Sequence, residues 1–348
     1  MLGYTIQGVK IGTHTFLPTT RVHFGAGSLE KLEEEAQAFE RTFVITGRTL
    51  NEKTDLVRRV EAMLGQKHVG TFADMGEHTP GSAVEQAAAE AKQADLLISI
   101  GGGSVIDGTK AVVARLGYPV QVAVPTTLSG AEWAHLVGVT DEEAGRKGGF
   151  ADPKAVPPIV ILDAEVTLPT PEKLWLSTGI RALDHAIEGF LGEGEHPIED
   201  VLGLEGARRL VEYLPRSKEE PDDLDLRLEL QLAAWMAYFG PLNTPMGLSH
   251  GLGRRIGASY GVPHGYTSCI TLAPTLAVVG RRVPKDRWMM LADALGGDPT
   301  ERIAALVEEL ELPNRLGDVD VPEEDLDDIA EEFEDRADEA REILSRAR

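Results

Sequence analysis

The 348-residue sequence is poor in cysteine and in aromatic residues, and each shortage excludes a class of protein. Cys269 is the single cysteine, which excludes an internal disulfide framework, a zinc ribbon and an iron–sulfur cluster held by the chain's own thiolates. Aromatic residues make up 5% of the chain, so the core must consist mainly of Val, Ile, Leu and Ala. The longest apolar run, at 269–280, contains Pro274 and is shorter than the roughly 20 residues that a membrane span needs.

Basic residues are also scarce, since 34 Lys and Arg stand against 57 Asp and Glu, a formal net charge of −23. Such a surface repels nucleic acid and anionic membranes, so we expect neither as a partner. The composition suits either a protein kept soluble at high salt or an ordinary acidic cytoplasmic protein. The first residues lack a basic region followed by an apolar stretch, so no signal peptide is predicted and we expect a cytoplasmic location.

The first 160 residues alternate short β-type runs with amphipathic helical segments. The predicted strands lie at 41–46, 95–100, 120–124 and 156–162, and the predicted helices lie at 51–64, 81–94 and 104–116. This alternation is typical of a Rossmann-like parallel sheet, which binds nucleotides at the carboxyl ends of its strands. The remainder of the chain is almost wholly helical. We therefore predict an α/β domain at 1–160 and an all-α domain at 161–348.

The acidic C-terminal tail has its own pattern. From residue 318 it carries 14 acidic and four basic residues. Its apolar residues recur every three or four positions and form one narrow stripe, at Leu326, Ile329, Phe333, Ala337, Ala340 and Leu344. Two interpretations stay open: a solvated helix packed by one edge, or an acidic helix that binds a partner.

A run of three glycines separates a predicted strand from a predicted helix. Gly101, Gly102 and Gly103 allow the backbone to approach an anion, and the first amides of the helix can donate to it. Ser104 is predicted to cap the helix, and Asp107 in its first turn could bind the cofactor or simply favour the helix dipole. The alternative is a tight turn without a ligand.

Two further loops carry small polar residues. Thr126 and Thr127 follow the strand at 120–124 and face the same crevice as the glycine run, for cofactor contact or for turn chemistry. Gly25 and Gly27 form an incomplete glycine pattern, which we interpret as a turn with Ser28 as a helix cap.

Three histidines are candidates for the reaction centre. His185 lies in a helical run, and His250 and His264 flank a segment broken by glycines and Pro263, which allows a fold-back. Three imidazoles could hold one Zn²⁺ or Fe²⁺ with an open position, and the alternative is three ordinary partly buried histidines.

Two arginines share helix faces with these histidines. Arg181 is four residues before His185, and Arg254 is four residues after His250. A guanidinium at the centre argues against a dication and for an anionic substrate.

Several separated motifs together resemble the iron-containing alcohol dehydrogenase family, nearly from end to end. They are RVHFGAGSLEKL, SIGGGSVIDGTKA, VPTTLSGAEWA, KGGFADPKAVPPIVILD, STGIRALDHAIE and GLSHGLGRRIGASYGVPHG, and they occur in the family's order. The resemblance implies a dehydroquinate synthase-like architecture that binds NAD(P) in the cleft between two domains. The glycine loop would hold the pyrophosphate, and Thr126, Thr127 and Lys147 would line the cofactor site. A small-molecule substrate and a homodimer or larger assembly are also implied.

The resemblance has departures at the metal site. Metal-dependent members have Asp at the position of Arg181 and a further His at the position of Arg254, whereas His185, His250 and His264 match. The maleylacetate reductase branch also lacks that Asp and is regarded as working without metal. Its P-T-T-x-x-G-x-E motif is similar to residues 125–132, although that branch usually has Asn where this chain has Arg181.

The residues after the second strand bear on the choice of cofactor. Members strict for NAD tend to have Asp there to bind the adenosine ribose, whereas this chain has Gly47 followed by Arg48. No carboxylate repels a 2′-phosphate, so we expect NADPH to be accepted, with dual specificity as the alternative.

These observations predict an NAD(P)H-dependent oxidoreductase that reduces a small carbonyl or enone acid without a metal. Arg181 and Arg254 would hold a carboxylate or polarise the carbonyl, and His185 or His264 would donate the proton. One alternative is a metal-dependent alcohol dehydrogenase with His185, His250 and His264 as ligands of Fe²⁺ or Zn²⁺. Another is a catalytically degenerate protein that only binds the cofactor.

Overall fold

The structure, a computed structural model, describes residues 12–142, 146–192 and 196–348. The strands are β1 (Arg21–Phe24), β2 (Thr42–Thr46), β3 (His68–Phe72), β4 (Leu96–Gly101), β5 (Val120–Pro125), β6 (Leu136–Asp141), β7 (Arg146–Ala151) and β8 (Ile159–Leu162). Six of them form a parallel sheet in the order β1-β8-β5-β4-β2-β3, and β6 and β7 form an antiparallel hairpin. The predicted parallel sheet is therefore confirmed.

The central strands are buried on both faces, which explains their continuous apolar sequences. Val44, Ile98 and Val122 face one core layer, and Phe43 and Leu97 face the other. Helices cover both layers: α1 (Lys31–Ala36), α2 (Arg48–Lys53), α3 (Leu56–Leu64), α4 (Gly81–Glu90) and α5 (Gly103–Arg115). All strands of the sheet end at the same edge, where the loops of the candidate site lie.

The first part of the chain departs from the prediction in several places, among them the unpredicted hairpin of β6 and β7. The helix predicted at 51–64 is divided into α2 and α3, because Thr54 is extended at φ −134° and ψ 166°. The edge strands β1 and β3 were not predicted, since their partly exposed residues lack a clear apolar pattern. Gly27, at φ +78°, precedes the short helical turn that Ser28 was expected to cap. The hydroxyl of Ser28 instead donates to the carbonyl of Leu162.

Helices make up the second part of the chain, beginning ten residues after β8 ends. They are α6 (Glu172–Leu191), α7 (Pro197–Glu219), α8 (Leu224–Ala237), α9 (Leu248–Tyr260), α10 (His264–Val279), α11 (Lys285–Leu295), α12 (Pro299–Glu309), α13 (Leu326–Glu331) and α14 (Ala337–Arg346). Helix α6 is central and is buried along almost all of its length. It packs against α7, α8 and α10 in the largest core cluster. An α/β sheet followed by a helical part confirms the predicted fold class.

The chain folds back between α9 and α10, as its glycines allow. Helix α9 ends at Tyr260, and Gly261 takes the left-handed conformation at φ +67°, which favours glycine. Pro263 then precedes the first residue of α10, which is His264. The corner therefore places His264 close to α9.

The acidic tail forms two short helices rather than one long one. The break falls at Glu334, which has φ +48°. Leu326, Ile329, Ala340 and Leu344 pack into a core cluster with residues of α9 and α10. The tail is thus held by its apolar edge.

None of the helices in the described residues combines the length and the apolar composition that a membrane span requires.

Candidate active site

The glycine loop and the threonine loop lie side by side at the carboxyl ends of β4 and β5. A Cβ on Gly102 would lie 3.0 Å from Cγ2 of Thr127, and a Cβ on Gly103 would lie 3.0 Å from Oγ of Ser129. The backbone N–H of Thr126 donates to the carbonyl of Gly101 at 3.0 Å. These contacts leave no room for larger side chains and bring together the two loops that the sequence placed at one crevice.

Helix α5 begins directly at this crevice. Gly102 is its N-cap, so Ser104 does not cap the helix as we expected from the sequence. The hydroxyl of Ser104 instead accepts a hydrogen bond from the backbone N–H of His78 at 3.1 Å. The first amides of an α-helix have no intrahelical acceptor and carry a partial positive charge, so the start of α5 suits a phosphate.

A buried lysine joins α5 to the following loop. Lys110 is 0% exposed and its Nζ lies 2.7 Å from Oδ1 of Asp107. The same Nζ donates to the carbonyls of Ala131, Ala134 and Leu136 at 2.8–3.0 Å. Asp107 also accepts from the backbone N–H of Gly138. Asp107, which the sequence singled out, therefore neutralises a structural lysine that the sequence analysis missed.

The residues of this crevice fit the pyrophosphate of a dinucleotide. A Cβ on Gly102 or Gly103 would fill the space beside the threonine loop, and both glycines lie at the start of α5, a 13-residue helix. Within the described residues, the hydroxyls of Thr127 and Ser129 are buried without a hydrogen-bond partner. Buried hydroxyls without partners are costly, and a bound polar ligand would remove that cost.

Gly47 and Arg48 follow β2, at the neighbouring strand end. Gly47 precedes α2, and Arg48 is the first residue of that helix. The Arg48 guanidinium forms a largely exposed ion pair with Asp74, with 2.7 Å between Nη2 and Oδ1. A carboxylate is therefore present beside the expected cation, and it comes from the loop after β3. Lys147 lies in β7, and its side chain is outside the described part of the structure.

The three histidines come from α6, α9 and the start of α10. The rings of His185 and His250 have centroids 5.3 Å apart. His185 stacks on Tyr238, with centroids 4.0 Å apart and ring planes within 11°. His264 is half-buried and contributes to the electrostatic environment of His250. Tyr238 was missed by the sequence analysis because no motif marks it.

Arg181 occupies the middle of this cluster. Its Nη2 lies 2.7 Å from Nε2 of His250, and its Nη1 lies 3.0 Å from Oγ of Ser268 and 3.4 Å from Oδ2 of Asp184. Burial lowers the pKa of Arg181, and the charge of Asp184 opposes this effect. Because a guanidinium does not lose its proton in proteins, Arg181 is a fixed cation.

Two buried carboxylates hold this arrangement, and neither was expected from the sequence. Asp184 accepts from the hydroxyls of Ser249 and Ser268 as well as from Arg181. Glu188 accepts from the backbone N–H groups of Gly247, Ser249 and His250, and so caps the start of α9. Burial raises the pKa of Asp184, and burial together with Asp184 raises the pKa of Glu188 to about 8.

Both histidines next to Arg181 are neutral at ordinary pH. Burial, reinforced by the charge of Arg181, lowers the pKa of His185 and of His250 well below the usual range. Because arginine can only donate, Nε2 of His250 accepts from Arg181, which assigns the ring proton to Nδ1. His250 can therefore donate a hydrogen bond through Nδ1.

Arg254 lies one helical turn after His250, and its side chain is exposed. Its charge contributes to the pKa values of Arg181, Tyr238 and His250, so it belongs to the same electrostatic cluster. The five residues that the sequence predicted thus divide into a buried group around Arg181 and an exposed or half-buried pair, Arg254 and His264.

One loop joins the cofactor crevice to the histidine cluster. Gly130 has φ +73°, and a Cβ there would lie 3.2 Å from the ring of Tyr238 and 3.5 Å from the ring of His185. Two residues later Glu132 is buried, and burial raises its pKa to about 7. The loop after β5 therefore contacts Gly102 and Gly103 at one end and the rings of Tyr238 and His185 at the other.

The residues around Arg181, as placed, do not fit a divalent metal. Among the described residues, His185, His250 and His264 are not a group whose ligand atoms all lie within 4.8 Å of one another, whereas Asp184, Glu188 and His250 are. In that second group the oxygens of Glu188 accept from three backbone amides. The Nε2 lone pair of His250 is used by a guanidinium, which would also repel a dication.

Comparison with known proteins identifies the family. The model described as "Iron-containing alcohol dehydrogenase" matches residues 18–164, and its C-terminal counterpart matches residues 175–340. The chain belongs to the iron-containing alcohol dehydrogenase family, which confirms the resemblance stated from its motifs. It is an oxidoreductase of the dehydrogenase or reductase type.

Two maleylacetate reductases are among the similar proteins. That of Rhizobium sp. strain MTP-10005 is 33% identical over 315 residues, covering 89% of this chain and 88% of the relative. Its crystal structure superposes with a TM-score of 0.89 and covers 97% of this chain and 98% of that one. That of Pseudomonas aeruginosa is 33% identical over 331 residues, covering 93% and 92%. The resemblance to the maleylacetate reductase branch is confirmed.

A more distant structure carries a cofactor. The sulfoacetaldehyde reductase of Bifidobacterium kashiwanohense, in complex with NAD⁺, is 20% identical to this chain with a TM-score of 0.87. It covers 97% of this chain and 98% of that one. At that identity the likeness concerns the fold.

Proposed function

We propose that this protein is an NAD(P)H-dependent reductase of a small anionic carbonyl or enone acid of the maleylacetate type, and that it works without a bound metal. The sheet-containing part, residues 1–160, binds the cofactor, and the helical part, residues 161–348, supplies the substrate site. The observation that carries the proposal is the buried contact of Arg181 with Nε2 of His250 at 2.7 Å.

Arg181 supplies a permanent positive charge where metal-dependent members of the family carry an anionic ligand. Asp184 and Ser268 hold its guanidinium, so it needs no reorganisation when charge develops on a substrate oxygen. Its direct contact with His250 orients that ring and leaves Nδ1–H as a hydrogen-bond donor. Arg181 therefore acts partly through the electrostatic field of its positive charge and partly by orienting the ring of His250.

Arg254 is the cation that meets the carboxylate of the substrate. Its side chain is exposed, whereas the Nη atoms of Arg181 are already engaged with protein partners. A guanidinium binds a carboxylate with two parallel hydrogen bonds, which fixes the orientation of the substrate. This assignment predicts that the enzyme prefers an anionic substrate to a neutral one.

A bound nicotinamide supplies the hydride, and the chain must supply the accompanying proton. His185 is poorly suited because burial lowers its pKa, so its imidazolium form is scarce at neutral pH. His264 is half-buried at the start of α10, where solvent can reprotonate it. We assign the proton donor to His264, with Nδ1–H of His250 as a hydrogen-bond donor to the same substrate oxygen.

The first test is oxidation of NADPH with maleylacetate by enzyme treated with a chelator. We expect turnover that is unchanged by the chelator and by added Fe²⁺ or Zn²⁺. Turnover of a simple alcohol or aldehyde that appears only when metal is added would instead assign His185, His250 and His264 as metal ligands. Binding of NADPH without turnover of any carbonyl substrate would indicate a degenerate protein.

Asp74 should set the preference between the two cofactors. Replacing Asp74 by Asn frees the Arg48 guanidinium for a 2′-phosphate and removes a nearby negative charge. Exposed charge pairs are worth up to about 1 kcal/mol, so kcat/KM for NADPH relative to NADH should rise about fivefold. Steady-state kinetics with both cofactors measures this ratio.

Two variants control that experiment. Arg48→Ala should lower the same ratio, whereas Asp55→Asn, which alters an exposed carboxylate paired with Arg58, should leave it unchanged. An unchanged ratio in both Asp74→Asn and Arg48→Ala would contradict the assignment of Arg48 to the 2′-phosphate.

A further inference from the structure

A second group of ligand-type side chains lies outside the Arg181 cluster, where the N-terminal segment contacts the start of α7. The segment is held by Asn243, whose side chain accepts from the backbone N–H of Thr15 at 2.7 Å and donates to its carbonyl at 3.2 Å. This contact places His14 beside His196, which caps α7, and beside Glu199 in the first turn of that helix. His14 and His196 are 182 residues apart in the sequence.

The three ligand atoms form a small triangle. Nδ1 of His14 lies 3.1 Å from Nε2 of His196 and 3.5 Å from Oε1 of Glu199. Nε2 of His196 lies 3.9 Å from the same Oε1. Two ligands of a tetrahedral zinc ion, each about 2.0–2.1 Å from the metal, lie about 3.3 Å apart. One ion can therefore reach all three atoms with little movement.

The carboxylate of Glu199 is oriented and partly unsatisfied, as a cation ligand would be. The side chain of Glu199 is 9% exposed, and within the described residues its Oε1 is buried without a hydrogen-bond partner. Its other oxygen, Oε2, accepts from the hydroxyl of Thr244 at 2.8 Å, which orients the carboxylate. Outer hydrogen bonds of this kind commonly orient metal ligands.

A metal must replace two existing hydrogen bonds, the cap of His196 on α7 and the bond between His196 and His14. Nδ1 of His196 accepts from the backbone N–H of Glu199 at 3.2 Å, so the proton of the neutral ring lies on Nε2, toward His14. Binding a metal through Nε2 therefore requires the ring proton to move to Nδ1, which can then no longer accept from the N–H of Glu199. Two neutral hydrogen bonds are weak beside two metal–nitrogen bonds, and the ion would satisfy the buried Oε1 of Glu199 in return.

We propose that His14, His196 and Glu199 bind one Zn²⁺ ion, or a divalent ion of similar ligand preference, which clamps the N-terminal segment to α7. Two imidazoles and one carboxylate are borderline donors that suit zinc, and a fourth position remains for water. The site shares no residue with the Arg181 cluster, although Glu199 lines the same cavity as His185 and Tyr238.

Zinc titration of chelator-treated full-length protein, against a competing chelator, tests the proposal. We expect one ion per chain in the unaltered protein. His14→Ala should weaken binding by at least about 100-fold, because changes even to outer partners of a metal ligand cost about 10–100-fold. Co²⁺ should give an intense visible band in the unaltered protein and not in the variant. Zinc should likewise raise the Tm of the unaltered protein only.

Three further variants locate the ion. Glu199→Gln keeps the shape of the side chain and should also lose the tight site. His68→Ala is a matched control, because His68 lies 3.9 Å from the carboxylate of Glu61 in a two-residue pair, and it should bind zinc as before. Retained affinity in His14→Ala, no binding by the unaltered protein, or loss only in His264→Ala would each overturn the proposal.

Discussion

Replacing Arg181 by Leu should lower kcat/KM for an anionic carbonyl substrate by about 10²–10³-fold, the range observed when one preorganised charge-stabilising donor is removed. The same change should lower the free energy of unfolding by about 3–5 kcal/mol, because it removes one partner of a buried ion pair. Asp184 would lose its cation, and Nε2 of His250 would lose its donor. Steady-state kinetics and urea unfolding measure the two effects.

Two substitutions separate the role of charge from that of shape at this position. Arg181→Lys retains the positive charge but cannot reach Ser268 and His250 together in a planar fork, so an intermediate loss is expected. Arg209→Leu is a matched control, because that arginine pairs with Glu205 and Glu229 on a partly exposed face and should cost less than about 1 kcal/mol. Activity of Arg181→Leu within twofold of the unaltered enzyme would contradict the proposed role.

Replacing Lys110 by Met should have the second large effect. The change removes the cation beside Asp107, whose side chain is 25% exposed, and leaves three carbonyls without their donor, so a loss of about 3–5 kcal/mol is expected. It also loosens the loop after β5, whose threonines line the cofactor crevice. Binding of NADPH should weaken about tenfold or more, since small misplacements of positioning groups are costly. Chemical unfolding and fluorescence titration with NADPH report these quantities.

Lys67 provides the comparison for Lys110. Its Nζ also donates to backbone carbonyls, those of Ala36 and Gln37 at 3.0 and 2.8 Å, but at a partly exposed position. Lys67→Met should cost about 1 kcal/mol or less and leave NADPH binding unchanged. Similar losses of unfolding free energy in Lys110→Met and Lys67→Met would show that burial does not determine how much Lys110 contributes to stability.

The sheet could be predicted from the sequence where its strands are buried on both faces. β2, β4, β5 and β8 are continuous apolar runs, and each of the first three is followed by glycine or threonine at the crevice. The edge strands β1 and β3 could not be predicted, because one side of each is open and their composition is mixed. Local pattern therefore reveals the centre of this sheet better than its edges.

The candidate site was predicted only in part, for a different reason. His185, His250, Arg181 and Arg254 stand out by residue type, spacing and family motif. Asp184 and Glu188 are as important to the arrangement, but their partners lie about 60 or more residues away in the sequence. The i,i+3 spacing of Arg181 and Asp184 was the one local signal for this pair.

Residues that make their contacts with distant parts of the sequence could not be predicted either. Tyr238 contacts His185 only because α8 ends beside α6, and Lys110 is buried only because the loop at 131–136 covers it. Neither residue type is unusual in its local context. Their roles follow from tertiary packing, which single-sequence reasoning does not provide.

The buried carboxylates make folding of this acidic chain a proton-consuming reaction. Burial raises the pKa of Glu132 to about 7 and that of Glu188 to about 8 in the folded state, against about 4.5 for an ordinary glutamate. Between those limits the two folded-state carboxyls hold protons that the unfolded chain releases, so their contribution to the free energy of unfolding falls as pH rises through this interval, by about 3 kcal/mol for Glu132 alone. Refolding in a weakly buffered solution near pH 7.5, where unfolded histidines hold few protons, would therefore turn the solution more alkaline.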